Sequence, residues 1–477
     1  MPSLIGIGVY CVAIVGAPAL LNDGDTLSHI ASGHWIVAHR AIPFDDPFSY
    51  TVHGQNWVPH EWLAEIALAG LYDWLGWGGV VAATGLAAAA AFAFLALVLQ
   101  RTLGPRPAAI AALAAFSLTE AHFLARPHAL AWPLLVIWSA GIVAARDNGR
   151  LPSLALLPIM ILWANIHGGF VIGLGFAGLI AAEAILYASA ATRFRVIRGW
   201  GMFLGLAGLS ALCSPNGIGA LLLPFRLIQM SFAIHSISEW RSLDFARPDP
   251  LAAWVALAIL GCLVFGIRLP LSRALMLLLL LWMAVTHVRN DELLGIIGPL
   301  LVAGPLALQL RSTILTPEMA SSRAERHTGA AAVTGIALSA AAAMGIALAA
   351  TAWMLNQRGL APRADVMPAA AIEEARRTGL DGHVFNSVRF GGYLLMAKIP
   401  AFVDGRADLY GDIFLQRYVA ASNAIGESLQ NLLRQYRVRW TLLEPASPAV
   451  RLLDHLSGWE RIYSDQYAVI HRRKPTP

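Results

Sequence analysis

Apolar runs of roughly 18 to 25 residues recur along the first 354 residues, and they constrain this chain more than any other feature. Each run has about the length of an α-helix that crosses the hydrocarbon core of a bilayer. Only 13% of the residues are charged and the mean hydropathy is +0.61, whereas soluble domains carry about 25% charged residues. The sequence therefore predicts an α-helical polytopic membrane protein.

We predict about eleven transmembrane helices, and one further amphipathic segment decides their orientation. Residues 61–76 are apolar on one face but carry Glu61, Glu65 and Asp73, so we interpret them as a helix on the membrane surface. No Lys or Arg precedes the first run, which favours an uncleaved first span over a signal peptide. The predicted spans are residues 4–21, 78–100, 108–121, 129–145, 152–165, 168–190, 199–213, 251–267, 274–287, 292–310 and 330–354.

The arginines give this arrangement a direction. Loops on the amino-terminal side contain twelve arginines and loops on the other side contain six. The positive-inside rule then places the amino terminus in the cytoplasm and the loop of residues 22–77 in the periplasm, in the inner membrane of a bacterium. Ten of the fourteen histidines fall on that periplasmic side, which predicts that the reaction site is there.

Residues 358–477 have the composition of a soluble domain. Strands are predicted at 383–387, 401–404, 440–445 and 467–472, and helical segments alternate with them. This alternation indicates a small α/β domain. The chain is therefore divided into a transmembrane domain, residues 1–357, and a periplasmic α/β domain, residues 358–477.

Two carboxylates, Asp23 and Asp25, follow directly after the first span. Paired carboxylates beside a bilayer are costly unless they are solvated or used. They can hold a divalent cation, or one of them can act as a general base. The alternative interpretation is that they only end a helix at the water interface.

Other periplasmic motifs combine Arg, His, amide and carboxyl groups, and each has a structural alternative. Arg and His beside a membrane suit a phosphate, whereas aromatic anchoring, turns and helix capping explain the same residues without a ligand. Arg289 also has two possible anionic partners, Asp291 or a ligand phosphate. The candidates are Asp46, His60 and Glu61 in the first loop, Glu120, His122, Arg126 and His128 in the next, then Asn165 and His167, and His287 and Arg289.

Together these features resemble the GT-C superfamily of membrane glycosyltransferases. The resemblance covers the plan of the whole chain: an acidic motif after the first span, a first external loop with a surface helix, many spans and a terminal soluble domain. Its local motifs are Asp25-Thr26-Leu27-Ser28-His29, Asp46-Pro47-Phe48-Ser49-Tyr50, His60-Glu61-Trp62-Leu63, Phe390-Gly391-Gly392-Tyr393 and Phe402-Val403-Asp404-Gly405-Arg406.

The resemblance implies an inverting transfer of a hexosyl or pentosyl group. The donor would be a polyprenyl-phosphate-linked sugar, and the acceptor a glycan, lipid or protein. Asp23 or Asp25 would be the base, Arg126, His128, His287 and Arg289 would bind the phosphate, and Asp46, His60, Glu61, Glu120, His122, Asn165 and His167 would bind substrate. No cofactor is certain; a divalent cation (Mg, Mn or Ca) is possible, with Asp25 as its ligand.

Two other functional classes remain open. A lipid-linked glycan polymerase or an O-antigen-type ligase would also use periplasmic Arg and His, but without an acidic pair after the first span. A transporter would need ionisable groups at mid-membrane depth and often an inverted repeat. The spans are nearly free of charge except for Glu183, and no repeat is evident. The scattered arginines do not indicate nucleic-acid binding.

Overall fold

A computed structural model describes residues 1–232, 240, 242–244, 249–314, 342, 344, 345, 347–354 and 359–475. The described residues up to 314 are mainly helical, and a long first loop between residues 40 and 61 connects two of the helices. In chain order these helices are α1 Pro2–Val15, α2 Ala17–Leu20, α3 Gly24–His39, α4 Trp62–Leu103, α5 Pro105–Thr119, α6 Pro127–Asp147, α7 Leu156–Ile166, α8 Phe170–Leu186, α9 Ala190–Ala211, α10 Ile218–Ile228, α11 Pro250–Phe265, α12 Leu271–Thr286 and α13 Asp291–Ile314.

Three of the helices in these ranges are long and apolar enough to cross a membrane: Trp62–Leu103, Pro127–Asp147 and Val288–Leu310. Most of the other helices at predicted spans are shorter, and some are less apolar. The first predicted span is divided by a break between α1 and α2. The number of eleven transmembrane helices therefore stays a prediction. α10 lies in a segment expected to be a loop. The predicted span 330–354 lies largely outside the described residues.

The break expected between the surface helix and the second span is present. α4 is 42 residues long, and Gly76 inside it has non-helical backbone angles, φ 62° and ψ −157°. A continuous helix of that length would extend about 63 Å, roughly twice the thickness of the hydrocarbon core. The positive φ at Gly76, which glycine tolerates without a steric penalty, therefore separates residues 62–75 from the spanning part.

α3 packs very closely against the start of α4. A Cβ atom on Gly33 would lie 2.1 Å from the backbone oxygen of Glu65, so only glycine permits this approach. The contact brings the carboxylate of Glu65 and the side chain of His29 to the same place. α3 is thereby held as a rigid helix beneath the first loop.

The terminal domain contains a four-stranded sheet flanked by helices. Its strands are β1 Val384–Asn386, β2 Trp440–Leu443, β3 Trp459–Ser464 and β4 Val469–Arg473, and its helices are α14 Ala369–Arg377, α15 Val388–Met396, α16 Ala407–Ser422, α17 Ser428–Gln435 and α18 Pro448–His455. The sheet order is β1-β2-β4-β3; β1 is parallel to β2 and the other pairs are antiparallel. The small α/β domain is thus confirmed.

Two strand assignments in this domain were wrong. Residues 401–404 do not join the sheet, because Ala401 pairs instead with Ser49 of the first loop in an isolated parallel bridge. β3 was not predicted at all, since charged and polar residues interrupt its apolar pattern and it is the edge strand of the sheet. Charged edge strands of this kind are common and protect a sheet against aggregation.

The first loop packs onto the terminal domain along its middle. The Thr51 hydroxyl donates to the backbone oxygen of Phe402 at 2.7 Å, and the Tyr50 hydroxyl donates to that of Val384 at 2.8 Å. The Tyr50 ring stacks on His383, with ring centroids 4.0 Å apart. Residues far apart in the sequence therefore form one continuous body on this side of the helices.

A buried ionic cluster lies at the other end of the helices. Arg273, 2% exposed, donates through Nε to Glu183 at 2.8 Å and through Nη2 to Asp147 at 2.6 Å. Arg146 approaches Glu183 at 3.3 Å. Glu183, which lies in the middle of predicted span 168–190, is thus paired and joins three helices.

Replacing Arg273 with Met is expected to destabilise the protein by about 3–5 kcal/mol, because Glu183 and Asp147 lose their buried cation. The measurement is the free energy of unfolding of the full chain in detergent. The double variant Arg273→Met, Glu183→Leu should recover part of the loss. Arg377→Met, which alters an exposed pair with Glu374, should leave stability unchanged; equal losses for Arg377 and Arg273 would contradict the structural role of the cluster.

The predicted topology can be tested by labelling single cysteines in a chain whose Cys11, Cys213 and Cys262 are replaced with Ala. Asp73→Cys and Asn148→Cys both lie at exposed positions. A membrane-impermeant maleimide should label position 73 in intact cells whose outer membrane is permeable to the reagent. It should label position 148 only after the inner membrane is disrupted. Labelling of position 148 before disruption would invert the assigned orientation.

Candidate active site

α3 carries the first functional side chains because of its own capping. Asp23 is the N-cap residue, and its carboxylate accepts from the backbone nitrogen of Thr26 at 3.2 Å, the contact typical of an N-cap aspartate. Asp25 and His29 are four residues apart, so they lie on the same face of the helix. That face lines a cavity of about 200 Å³, here called the first cavity.

The first cavity lies between α3, the first loop, the start of α4, several further interhelical loops and the terminal domain. Its polar lining side chains are Asp25, Ser28, His29, Ser32, His60, Glu61, Glu65, Arg126, His128, His167, Arg289, Arg406 and Asp408, and its aromatic walls are Trp57 and Trp240. Predicted site residues from four separate segments are therefore brought together here.

Asp23 and Arg126 form a bidentate ion pair. Arg126 donates through Nε and Nη2 to the two carboxylate oxygens of Asp23. Burial alone would raise the pKa of Asp23, but the Arg126 guanidinium outweighs it and holds this pKa below its ordinary value. Since Asp23 also caps α3 and is only 8% exposed, its role in the structure is to fix Arg126.

Asp25 is the more accessible of the two carboxylates. Its side chain is 32% exposed, and its Oδ2 lies 3.2 Å from Nη1 of Arg126. Gly405 of the terminal domain packs against the other oxygen, since a Cβ atom there would come within 1.8 Å of Oδ1. Asp25 is thus held between a guanidinium and a backbone segment of the terminal domain, with access to the cavity.

Three imidazoles surround the Glu61 carboxylate. His29 lies 3.6 Å from one oxygen, and His60 and His167 lie 3.7 Å and 3.6 Å from the other. Burial would raise the pKa of Glu61, but the neighbouring imidazoles and Arg289 lower it to about 2. Glu61 is therefore ionised throughout the physiological range and cannot serve as a general acid there.

The imidazoles near Glu61 differ in charge. Burial lowers the pKa of His29, but its hydrogen bond with Glu65 and the charges of Glu61, Glu65 and Asp25 raise it to about 9. For His167, burial dominates over the attraction of Glu61, and the pKa falls to about 3. At neutral pH the cavity therefore contains a protonated His29 and a neutral His167.

Arg289 and His128 border the part of the cavity farthest from the terminal domain. The Arg289 guanidinium carbon lies 5.7 Å from the centroid of the Trp240 ring, within the range of a cation–π contact. His128 donates from Nε2 to the backbone oxygen of His122 at 2.8 Å. With Arg126, these residues give this region a cluster of hydrogen-bond donors and positive charge.

Arg406 lies at the opposite wall and joins the first loop to the terminal domain. It donates to Asp46 at 2.8 Å and to Asp404 at 2.7 Å, and its guanidinium lies over the rings of Phe48 and Trp57 at 5.1 Å and 4.7 Å. Burial lowers the pKa of Arg406, but Asp404 and its other partners raise it above the ordinary value. Asp46 is accordingly a buried structural partner of Arg406.

A second cavity of about 780 Å³ lies on the other side of Asp25 and Arg126. Both of these residues line both cavities. The second cavity is bounded by the helices on one side and by Ser387, Arg389, Tyr418 and Glu444 of the terminal domain on the other. Asp25 and Arg126 therefore form the partition between two spaces.

Several predicted site residues lie away from the first cavity. His122 lines the second cavity. Asn165 accepts from Trp62 Nε1 at 2.8 Å and donates to the backbone oxygens of Ile161 and Cys213, so its amide holds helices together. In the described part of the chain, Glu120 and His287 line neither cavity. The ring of His287 packs against that of Trp240, with ring centroids 5.5 Å apart.

His29, Glu65, Arg406 and Asp408 line the cavity but were not predicted as site residues. His29 could have been found, because it follows Asp25 by four residues at the start of α3. Arg406 and Asp408 could not, since only the docking of the terminal domain brings them near. Burial raises the pKa of Asp408 above its ordinary value.

The described residues contain no group of three or more His, Cys, Asp or Glu side chains arranged to hold a metal ion. The space next to Asp25 and Asp23, where a cation would be bound, is instead occupied by the Arg126 guanidinium. The positive charge that these carboxylates need is therefore supplied by the chain itself.

No protein-family model and no curated protein sequence matches this chain. Two solved structures of ArnT from Cupriavidus metallidurans, one bound to undecaprenyl phosphate and one in the apo state, share 15% identity with it. They cover 98% of this chain and 97% of theirs, with TM-scores of 0.48 and 0.47. An Archaeoglobus fulgidus oligosaccharyltransferase in the apo form shares 10% identity, over 92% of this chain and 69% of its own, with a TM-score of 0.46. These neighbours are members of the GT-C superfamily that the sequence resembles.

Replacing His29 with Gln should change how stability depends on pH. The folded pKa of about 9 lies above the ordinary value of 6.5, so protonated His29 stabilises the fold fully below pH 6.5. That contribution, up to about 3 kcal/mol, is lost as the pH rises through 9. The free energy of unfolding of the wild type should fall across this interval, and that of His29→Gln should fall less. The exposed His53→Gln should behave as the wild type; an identical slope in His29→Gln would refute the assignment.

Proposed function

We propose that this chain is an inverting membrane glycosyltransferase that moves a sugar from a polyprenyl-phosphate-linked donor to an acceptor at the periplasmic face. The observation that carries the proposal is the position of Asp25 and Arg126, which together separate the two cavities. A transferase of this type needs a base and a cation at the point where two substrates meet. The resemblance of the sequence motifs to the GT-C superfamily agrees with this.

Asp25 is the proposed general base. It takes the proton of an acceptor hydroxyl while that oxygen forms a bond to the anomeric carbon. The bond from that carbon to the phosphate oxygen breaks on the opposite face, and its electron pair leaves with the lipid phosphate, so the anomeric configuration inverts. The exposed fraction of Asp25 and its place between the cavities support this role over Asp23.

Arg126, Arg289 and His128 are the proposed phosphate-binding residues. Negative charge builds up on the departing phosphate, and fixed donors in a partly buried site stabilise it. Arg126 is preorganised because Asp23 holds its guanidinium by two hydrogen bonds. Protonated His29 adds positive charge on the same side of the cavity.

His60, Glu61 and His167 are proposed to contact the transferred sugar. A carboxylate flanked by imidazoles offers hydrogen-bond acceptors and donors to sugar hydroxyls. Glu61 stays ionised because its pKa is about 2, so it acts as an acceptor at every working pH. Asp46 supports the site indirectly through its ion pair with Arg406 and is not proposed to contact the substrate.

Asp25→Asn should lower kcat by about 10²–10⁴-fold, the usual contribution of a general base, and leave the unfolding temperature unchanged. Asp23→Asn should mainly reduce stability, because it breaks the buried pair with Arg126. Sugar transfer by the purified full chain from defined polyprenyl-phosphate sugars measures both effects. Asp45→Asn, an exposed carboxylate of the same loop, is the matched control. Full activity with both Asp23 and Asp25 replaced would exclude this mechanism and favour a polymerase or ligase of the O-antigen type.

The same assay with a chelator distinguishes Asp25 as a general base from Asp25 as a metal ligand. We expect activity to persist in EDTA, because Arg126 already supplies the cation beside Asp25 and Asp23. Loss of activity that Mg, Mn or Ca restores would instead assign Asp25 as a metal ligand.

A further inference from the structure

The second cavity has two walls of different origin. Asn22, Asp249 and Asp291 come from the helical part of the chain, and Ser387 and Glu444 come from the terminal domain. Its volume of about 780 Å³ is sufficient for a ligand of several hundred daltons.

Its lining is acidic. Five carboxylates and two guanidiniums line it, together with His122: Asp23, Asp25, Asp249, Asp291 and Glu444, against Arg126 and Arg389. Arg126 is engaged by Asp23 and Asp25, and Arg389 pairs with Asp365 at 2.6 Å. The carboxylates of Asp249, Asp291 and Glu444 have no cationic partner in the described part of the chain.

Two oxygen atoms in this lining also lack a hydrogen bond among the described residues. Oδ1 of Asp291 and Oδ1 of Asn22 are buried and unpartnered, and Asp291 is only 5% exposed. Oδ1 of Asn22 is an amide oxygen and can only accept a hydrogen bond, and Oδ1 of Asp291 accepts one when its carboxyl group is ionised. Buried acceptors are normally paired, so a hydrogen-bond donor fits this position.

We propose that the second cavity binds the acceptor substrate through a positively charged amino group next to the hydroxyl that attacks, so that the acceptor is an amino sugar. The inference rests on the proposed function, because a glycosyltransferase with Asp25 as its base requires an acceptor hydroxyl next to Asp25. Asp249 and Glu444 attract the ammonium group, Asp291 accepts a hydrogen bond from it through Oδ1, and Asn22 and Ser387 are placed to hydrogen-bond the ring hydroxyls.

The charged groups of each cavity then match the charge of the ligand proposed for it. Arg126, Arg289 and protonated His29 line the first cavity and suit the phosphate of the donor. The described lining of the second cavity has five carboxyl groups against two guanidiniums, so a phosphate there would meet carboxyl groups that have no cationic partner among the described residues. The electrostatics therefore select which substrate enters from which side of Asp25.

The decisive comparison uses the unmodified full chain in detergent and three ligands of one shape. The probes are dodecyl β-D-glucosaminide, its N-acetyl derivative and dodecyl β-D-glucoside 6-phosphate, and dissociation constants are measured by calorimetry without any donor. The glucosaminide should bind at least tenfold more tightly than the neutral derivative, and the phosphate should bind most weakly. Equal affinity for the amine and the acetylated form, or preference for the phosphate, would overturn the proposal.

Two variants on opposite walls locate the binding. Asp291→Asn and Glu444→Gln should each reduce the preference for the amine by at least threefold, whereas Asp381→Asn, an exposed carboxylate of the terminal domain, should not. An unchanged preference in both variants would place the amine elsewhere and refute the assignment. Because neither ligand binding nor its charge preference requires transfer, failure of the transfer assay alone would count against the proposed function and not against this cavity.

Discussion

The ion-pair cluster of Arg406 with Asp46 and Asp404 is the interaction on which the shape of the site depends. All three side chains are almost completely buried, and the guanidinium is covered by Phe48 and Trp57. Removing ions from water is costly, and the cost is offset only when each remaining donor finds a partner. Arg406 meets that condition only if the first loop and the terminal domain are in contact.

That contact places Gly405 against Asp25 and brings Ala407 and Asp408 to the wall of the first cavity. The terminal domain is therefore part of the candidate site and not only an appendage after the spans. The division of the chain at residue 357 describes its composition, but the first loop packs into the hydrophobic core of the second domain through Val52 and Trp57.

Arg126 has a comparable role nearer to the helices. The Arg126 guanidinium contacts two carboxylates in different environments. Asp23 caps α3, is buried and forms a bidentate pair with Arg126, whereas Asp25 faces the cavities. The acidic motif thus contains one buried residue that positions Arg126 and one residue that is accessible from the cavities. A pair of aspartates two residues apart does not by itself indicate which is which.

The sequence by itself determined the helical, apolar character of the chain, the break near residue 76, the terminal α/β domain and seven of the thirteen polar side chains that line the first cavity. These are local properties, because the length of a hydrophobic run and the positions of charged residues can be read directly from the sequence. Only the tertiary structure decided that Asn165 holds helices together, that Ala401 pairs with the first loop and that Arg406 lines the candidate site. Those outcomes depend on contacts between segments up to about 360 residues apart, and burial and pairing at such contacts set the charge of each group.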